Sequence, residues 1–305
     1  MLVERRPRWA AAALAVASLV AGCTPAPASS GSPSVATSPT TAARPFTVMT
    51  TEAPHSLDPA LATTGADAIA ALNLFQRLLV FHATTGELKP DAADCQFSQP
   101  AVYECTLTKG ITFSNGHALT SSDVAFSIDR ARRLNVAGTS VRLLGSLQRI
   151  EAVNDQTVRF YLAWPDTQFG VGLAAPAASI VDEESYLPDA ARPDTSPPVG
   201  SGPFALASAD AGGLSLVRNE TYVGATKAAL PAVRLAFAAD SAAAEQAMSE
   251  GTADVVWRSL DAAALARLAM GATKTDLVAV PLPEARLTRL AWNPASALRA
   301  QAEVR

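Results

Sequence analysis

The chain has few of the residues on which most catalytic and metal chemistry depends. It holds three histidines, His55, His82 and His117, none in an H-E-x-x-H pair, which excludes the helical zinc-protease motif. Its three cysteines have spacings that fit no common zinc pattern. Neither G-x-x-x-x-G-K-[ST] nor G-x-G-x-x-G occurs, so both nucleotide-binding fingerprints are missing. Gly200-Ser201-Gly202 is not the G-x-S-x-G elbow of a hydrolase. These absences point away from an enzyme and call for no cofactor and no metal. Lysine and arginine form no dense run, and the net charge is −4, which argues against nucleic acid as a partner. The one long apolar run, Trp9 to Ala21, is too short to span a bilayer comfortably. His117 reads as a solvated turn residue, and Asp182-Glu183-Glu184 as a solvated surface or helix start.

What is present begins with that apolar run. Arg5, Arg6 and Arg8 precede it, giving the basic-then-apolar order of a secretion signal over residues 1–22. The run ends in Leu19-Val20-Ala21-Gly22-Cys23, which resembles a bacterial lipobox. The likeness implies cleavage before Cys23, a lipid on its sulfur and anchoring at the outer face of the cell membrane. Residues 23–44 are almost wholly Ala, Pro, Ser, Thr and Gly, a composition that cannot offset its own ordering entropy, so a disordered tether is expected. Cys95 and Cys105 remain as an even pair in an exported chain, with Pro100 midway between them. A hairpin would join them in a disulfide worth roughly 3 kcal/mol; two free thiols are the alternative.

Tyr103 to Thr108 alternates polar and apolar residues, the period of a half-buried strand. Asn115-Gly116 supplies a tight turn. Thr120 and Asp123 form a capping-box pair, and Val124, Ile128 and Ala131 recur at helical spacing, with Phe126 and Arg130 or Arg132 on other faces. The order L-x-K-G-I-x-F-S-N-G-x-x-L-T-S-S-D-V-x-F-S-I-x-R over Leu107 to Arg130 resembles the signature of the family 5 extracellular solute-binding proteins. These are the peptide, dipeptide, oligopeptide and nickel-binding components of ABC importers.

Other blocks resemble the same family in order: Leu57-Asp58-Pro59; Leu74-Phe75-Gln76-Arg77-Leu78, closing a helix whose apolar positions are Ile69, Leu72, Phe75 and Leu79; Thr85 to Pro90; the hairpin around Asn154-Asp155; and Val199-Gly200-Ser201-Gly202-Pro203-Phe204. Leu214 to Arg218, Val233 to Phe237 and Ala253 to Val256 read as strands. A helix capped at Asp240 or Ser241 and ended by Gly251 follows the second of them, and Leu260 to Ala269 is a further helix. Thr288 to Asn293 reads as a strand before a crossing between lobes.

The resemblance implies an α/β, type II periplasmic-binding-protein-like fold. Lobe I would comprise 45–76 and 195–292, an inserted subdomain 77–194, and residues 293–305 would begin lobe II, most of which is absent. It also implies a ligand-facing loop at Thr63, Thr64 and Gly65, with Asn293 a further contact near the crossing. Some oligopeptide binders place an acidic residue where Thr63 stands, so amine recognition from this loop departs from theirs. The expected protein is a monomeric lipoprotein that captures peptides outside the cytoplasm and delivers them to a permease and ATPase. The alternative is a truncated surface lipoprotein with a sensing or scaffold role.

Overall fold

The computed structural model describes residues 2–5, 44–193, 195–271 and 277–280. Cys23, Asn293, most of the tether and the strand expected at Thr288 to Asn293 lie outside them.

In chain order the elements begin with β1 (Leu2–Arg5), β2 (Phe46–Thr50), α1 (Gly65–Leu74), β3 (Leu79–Phe81) and β4 (Leu88–Pro90). Then come β5 (Ala93–Gln99), β6 (Val102–Leu107), α2 (Ser121–Leu134), β7 (Leu147–Asn154), β8 (Thr157–Leu162) and α3 (Phe169–Leu173). The chain continues through β9 (Phe204–Asp210), β10 (Gly213–Arg218), β11 (Ala232–Phe237), α4 (Ser241–Glu250), β12 (Val255–Trp257), α5 (Ala262–Gly271) and β13 (Leu277–Val280).

Two main sheets organise this α/β fold. One has seven strands in the order β13-β1-β12-β2-β11-β10-β9. Here β2 pairs in parallel with both β11 and β12, and parallel neighbours require a crossover. Helix α4 supplies it: Asp240 accepts from the Ala243 N–H at its start (2.8 Å) and Gly251 ends it at φ 78°. The strand pair β9–β10 extends the sheet on the far side and was not legible in the sequence as a hairpin. At the other side β1 lies antiparallel between β12 and β13.

The second sheet runs β5-β6-β8-β7, all antiparallel. Its alternation buries Tyr103, Cys105, Leu107, Val158, Phe160 and Leu162 on one face, where Val124 and Ile128 of α2 meet them. Asp123 secures the start of α2 by accepting from the Thr120 N–H (2.8 Å) and hydroxyl (3.0 Å). Cys95 and Cys105 stand opposite each other in the β5–β6 register and are disulfide-bonded.

Three sequence expectations need correction. Helix α1 stops at Leu74 and does not run to Leu79, which lies in β3. Its buried positions are Ala66, Asp67, Ala70, Ala71 and Leu74, while Leu72 is exposed. The helix ends there because the 200–202 segment lies against it: Gly202 N–H donates to the Leu74 carbonyl (3.0 Å). A Cβ on Gly200 would stand 2.1 Å from that same oxygen, so these glycines serve close backbone approach and not merely a turn. Arg130, assigned to an outer face, is 1% exposed, because Asp58 meets it. Asp182 is buried too, not solvated. Burial pushes its carboxyl up, but hydrogen bonds from Ser185, Asn115 and the Glu184 N–H outweigh this and hold it below the usual value. His117 lies against it with Nδ1 3.0 Å from its carboxylate.

Candidate functional site

In open α/β sheets, ligands bind beyond the carboxyl ends of the parallel strands, where connections diverge to opposite sides. Here that edge is the carboxyl end of β2, flanked by the ends of β11 and β12. The Thr51 N–H donates to Ser259 Oγ (2.7 Å), and Ser259 Oγ lies 3.3 Å from Thr50 Oγ1. These contacts hold the chain leaving β2 against the chain leaving β12. Arg258, just past β12, has a left-handed backbone (φ 53°) and its guanidinium stacks over Trp257.

The chain leaving β2 then forms the loop that carries Thr63, Thr64 and Gly65. Its organiser is Asp67, which the sequence reading did not single out. Asp67 Oδ2 accepts from the N–H groups of Thr63 and Thr64 (3.0 Å each), and Oδ1 from that of His55 (2.6 Å). In return its own N–H donates to Thr64 Oγ1 (3.1 Å), completing a capping box at the start of α1. Burial pushes the Asp67 carboxyl up, but the three backbone donors more than offset this, and it sits below the usual aspartate value. The Thr64–Asp67 spacing was the sequence signal that would have found it.

The three predicted residues are contiguous and differ in role. Thr63 and Gly65 are exposed, while the Thr64 oxygen is engaged as the helix cap. A Cβ on Gly65 would stand 3.8 Å from a carboxylate oxygen of Glu52. An exposed acidic group therefore borders this loop from the end of β2, although position 63 is not acidic.

Behind the loop, Asp58 caps the short turn Pro59–Leu61 by accepting from the Ala60 N–H (3.1 Å). It also accepts from both terminal nitrogens of Arg130 (2.9 and 2.6 Å) and from the Arg192 N–H (2.9 Å). The loop is thus tied to α1 by Asp67 and to α2 by Asp58. It is a fixed loop: Asp67 takes the N–H groups of Thr63 and Thr64 and lies 3.4 Å from the Thr63 hydroxyl, while Thr63 and Gly65 stay exposed.

Residues 87–305 match the family model described as bacterial extracellular solute-binding proteins, family 5 middle. The chain belongs to that family. Among curated proteins, the glutathione-binding protein of Pectobacterium atrosepticum is 27% identical over 232 residues, 76% of this chain and 41% of that one. The dipeptide-binding protein of Escherichia coli is 29% identical over 177 residues, 50% of this chain and 33% of that one. Among solved structures, the periplasmic binding protein DppA of Helicobacter pylori, in complex with a peptide, superposes with a TM-score of 0.60 at 26% identity. The match covers 68% of this chain and 45% of that one. This family 5 chain therefore has the fold of periplasmic binding proteins and spans about half the length, or less, of the relatives it matches.

Proposed function

We propose that this family 5 protein captures peptides outside the cytoplasm and delivers them to the permease of an ABC importer. The observation that carries this reading is the loop Thr63–Thr64–Gly65, which exposes Thr63 and Gly65 at the sheet's carboxyl edge and is fixed from behind by Asp67, in a chain whose relatives include proteins named for glutathione and dipeptide binding. Peptide ligands are gripped mainly through backbone groups and terminal charges. With their N–H groups held by Asp67, Thr63 and Thr64 would offer chiefly their side chains, Gly65 close approach, and Asn293 a further contact near the crossing. Lobe I then comprises 45–76 and 195–292, the inserted subdomain 77–194, and 293–305 opens the second lobe, so the peptide sits between lobes of a monomer and no catalysis occurs.

In the same reading residues 1–22 are removed and Cys23 carries the lipid. Processing takes β1 out of its place, leaving β12 and β13 unpaired along the edges that now face it.

Calorimetric titration of the protein purified from its own membranes tests the ligand assignment. Di- and tripeptides with free termini are expected to bind saturably, and Thr63→Trp to abolish the binding. Unchanged affinity in that variant would remove the loop from the site, and no peptide binding would favour the sensing or scaffold role. Mass spectrometry of the same material tests the anchor, which requires an N-terminal lipidated Cys23.

A further inference from the structure

Strand β1 belongs to the seven-stranded sheet, yet it comes from the residues read as a removable signal. Leu2, Val3 and Glu4 stand opposite Trp257, Val256 and Val255 of β12, and Leu2 to Arg5 stand opposite Val280 to Leu277 of β13. Among the described residues β13 has no other strand neighbour. Removing β1 opens a gap between two strands about 10 Å apart, twice the usual strand spacing. At that distance they do not pair with each other, and their unpaired backbone groups form a template for another strand.

Direction selects the occupant. β1 is antiparallel to both neighbours, so β13 runs the same way as β12, which is parallel to β2. Val280 therefore lies at the carboxyl edge of the sheet, the edge that carries the Thr63–Gly65 loop. A strand that fills the gap runs the opposite way and enters from that edge. In the reading above, residues 293–305 open the second lobe beyond the same edge, so a segment coming back from that lobe arrives with the required direction. The tether is the nearest rival, because it ends where β2 begins. It is broken by Pro25, Pro27, Pro33 and Pro39, and an interior strand needs the N–H groups that proline lacks.

We propose that the gap between β12 and β13 is a strand-acceptor site. In the processed protein it is filled by an antiparallel strand, supplied by residues that follow Arg305 and return from the second lobe. This rests on the removal of residues 1–22 and on the two-lobed reading given above. The sheet that carries the ligand loop is then completed only after the chain has crossed to the second lobe and come back.

Photo-crosslinking in the cells of origin tests this. Trp257, opposite Leu2 at the gap, is replaced in Trp257→p-benzoylphenylalanine, and the crosslinked peptide is identified by mass spectrometry of the processed protein. A crosslink to a segment of the same chain after residue 305 is expected. Crosslinks to the tether, to residues 277–280, to a second copy or to another protein overturn the occupant. If the variant does not fold, amide hydrogen exchange on the wild type reads the gap directly. With residues 1–22 gone, the amides of Val255–Trp257 and Leu277–Val280 should exchange about a hundredfold or more slower than free backbone, and a synthetic peptide of residues 1–6 should find no room to bind. Free exchange, or saturable binding of that peptide, means an open gap and overturns the proposal while leaving the peptide reading intact. An N-terminus that still carries residues 1–22 overturns the processing step, and the proposal with it.

Discussion

Asp58 and Arg130 meet across 72 residues of sequence, with both guanidinium terminal nitrogens on both carboxylate oxygens at 2.9 and 2.6 Å and both side chains buried. The pair joins the Leu57-Asp58-Pro59 block to the Leu107–Arg130 signature. Arg130 also donates to the carbonyls of Leu187 and Ala190 (2.7 Å each), and Asp58 accepts from the Arg192 N–H, so the stretch 187–192 is bound in as well. A buried pair of this kind is often no more stabilising than a well-packed apolar replacement, but losing one partner leaves a buried charge unpaired.

Asp58→Ala or Arg130→Met alone is therefore expected to destabilise the protein by about 3–5 kcal/mol. The double variant should be less damaged than the sum of the two. Urea unfolding in a double-mutant cycle measures this, and strictly additive losses would refute the coupling.

Asp67 predicts an acid dependence. Its carboxyl titrates below the ordinary aspartate value of 3.8 in the folded protein. A depressed carboxyl contributes stability that is complete above its unfolded value and lost as pH falls through its folded value. Melting temperatures from neutral pH to below 3.8 should show this loss in the wild type, and a smaller acid component in Asp67→Asn, which starts less stable at neutral pH.

Gly200 and Gly202 predict steric intolerance. A Cβ at Gly202 would lie 2.5 Å from the Asn73 carbonyl oxygen, and backbone cannot move aside as a flexible side chain does. Gly202→Ala is expected to cost about 1–3 kcal/mol, the scale of overpacking. An alanine variant with an unchanged melting temperature would refute this close approach.

The Cys95–Cys105 bond links adjacent strands at the edge of the four-stranded sheet. Its loss in Cys95→Ser/Cys105→Ser should cost roughly 3 kcal/mol by the chain-entropy estimate. Thermal melts with and without a reductant provide the check: the wild type should fall to the level of the double variant, which should not respond.

Local rules made much of this fold legible. Alternation identified β6 and β8, and helical spacing with Thr120 and Asp123 identified α2, because both depend on neighbours within a few residues. The Asp240 cap and Gly251 stop of α4 were readable for the same reason. The ordered motif blocks carried the family, since they recur as contiguous strings. Of the candidate site, the sequence indicated the Thr63–Gly65 loop but not its support, although the Thr64-to-Asp67 spacing held that signal.

Tertiary structure decided what depends on distant partners. The end of α1 at Leu74 reflects Gly200 and Gly202 pressing on its last turn, which no helical periodicity encodes. Arg130 and Asp182 are charged, so sequence reasoning placed them outside. Asp58 for the one, and Asn115 with Ser185 for the other, make their burial tolerable by supplying hydrogen-bonding partners. The buried Nε of Arg77, which has no hydrogen-bond partner among the described residues, is of the same kind, visible only once the fold places Asp91 and Tyr222 near the guanidinium. The sequence by itself determined most of the elements, the caps of α2 and α4 and the family, through contacts between near neighbours. Which polar groups are buried, and what answers them, was settled only when segments tens of residues apart came within hydrogen-bond reach.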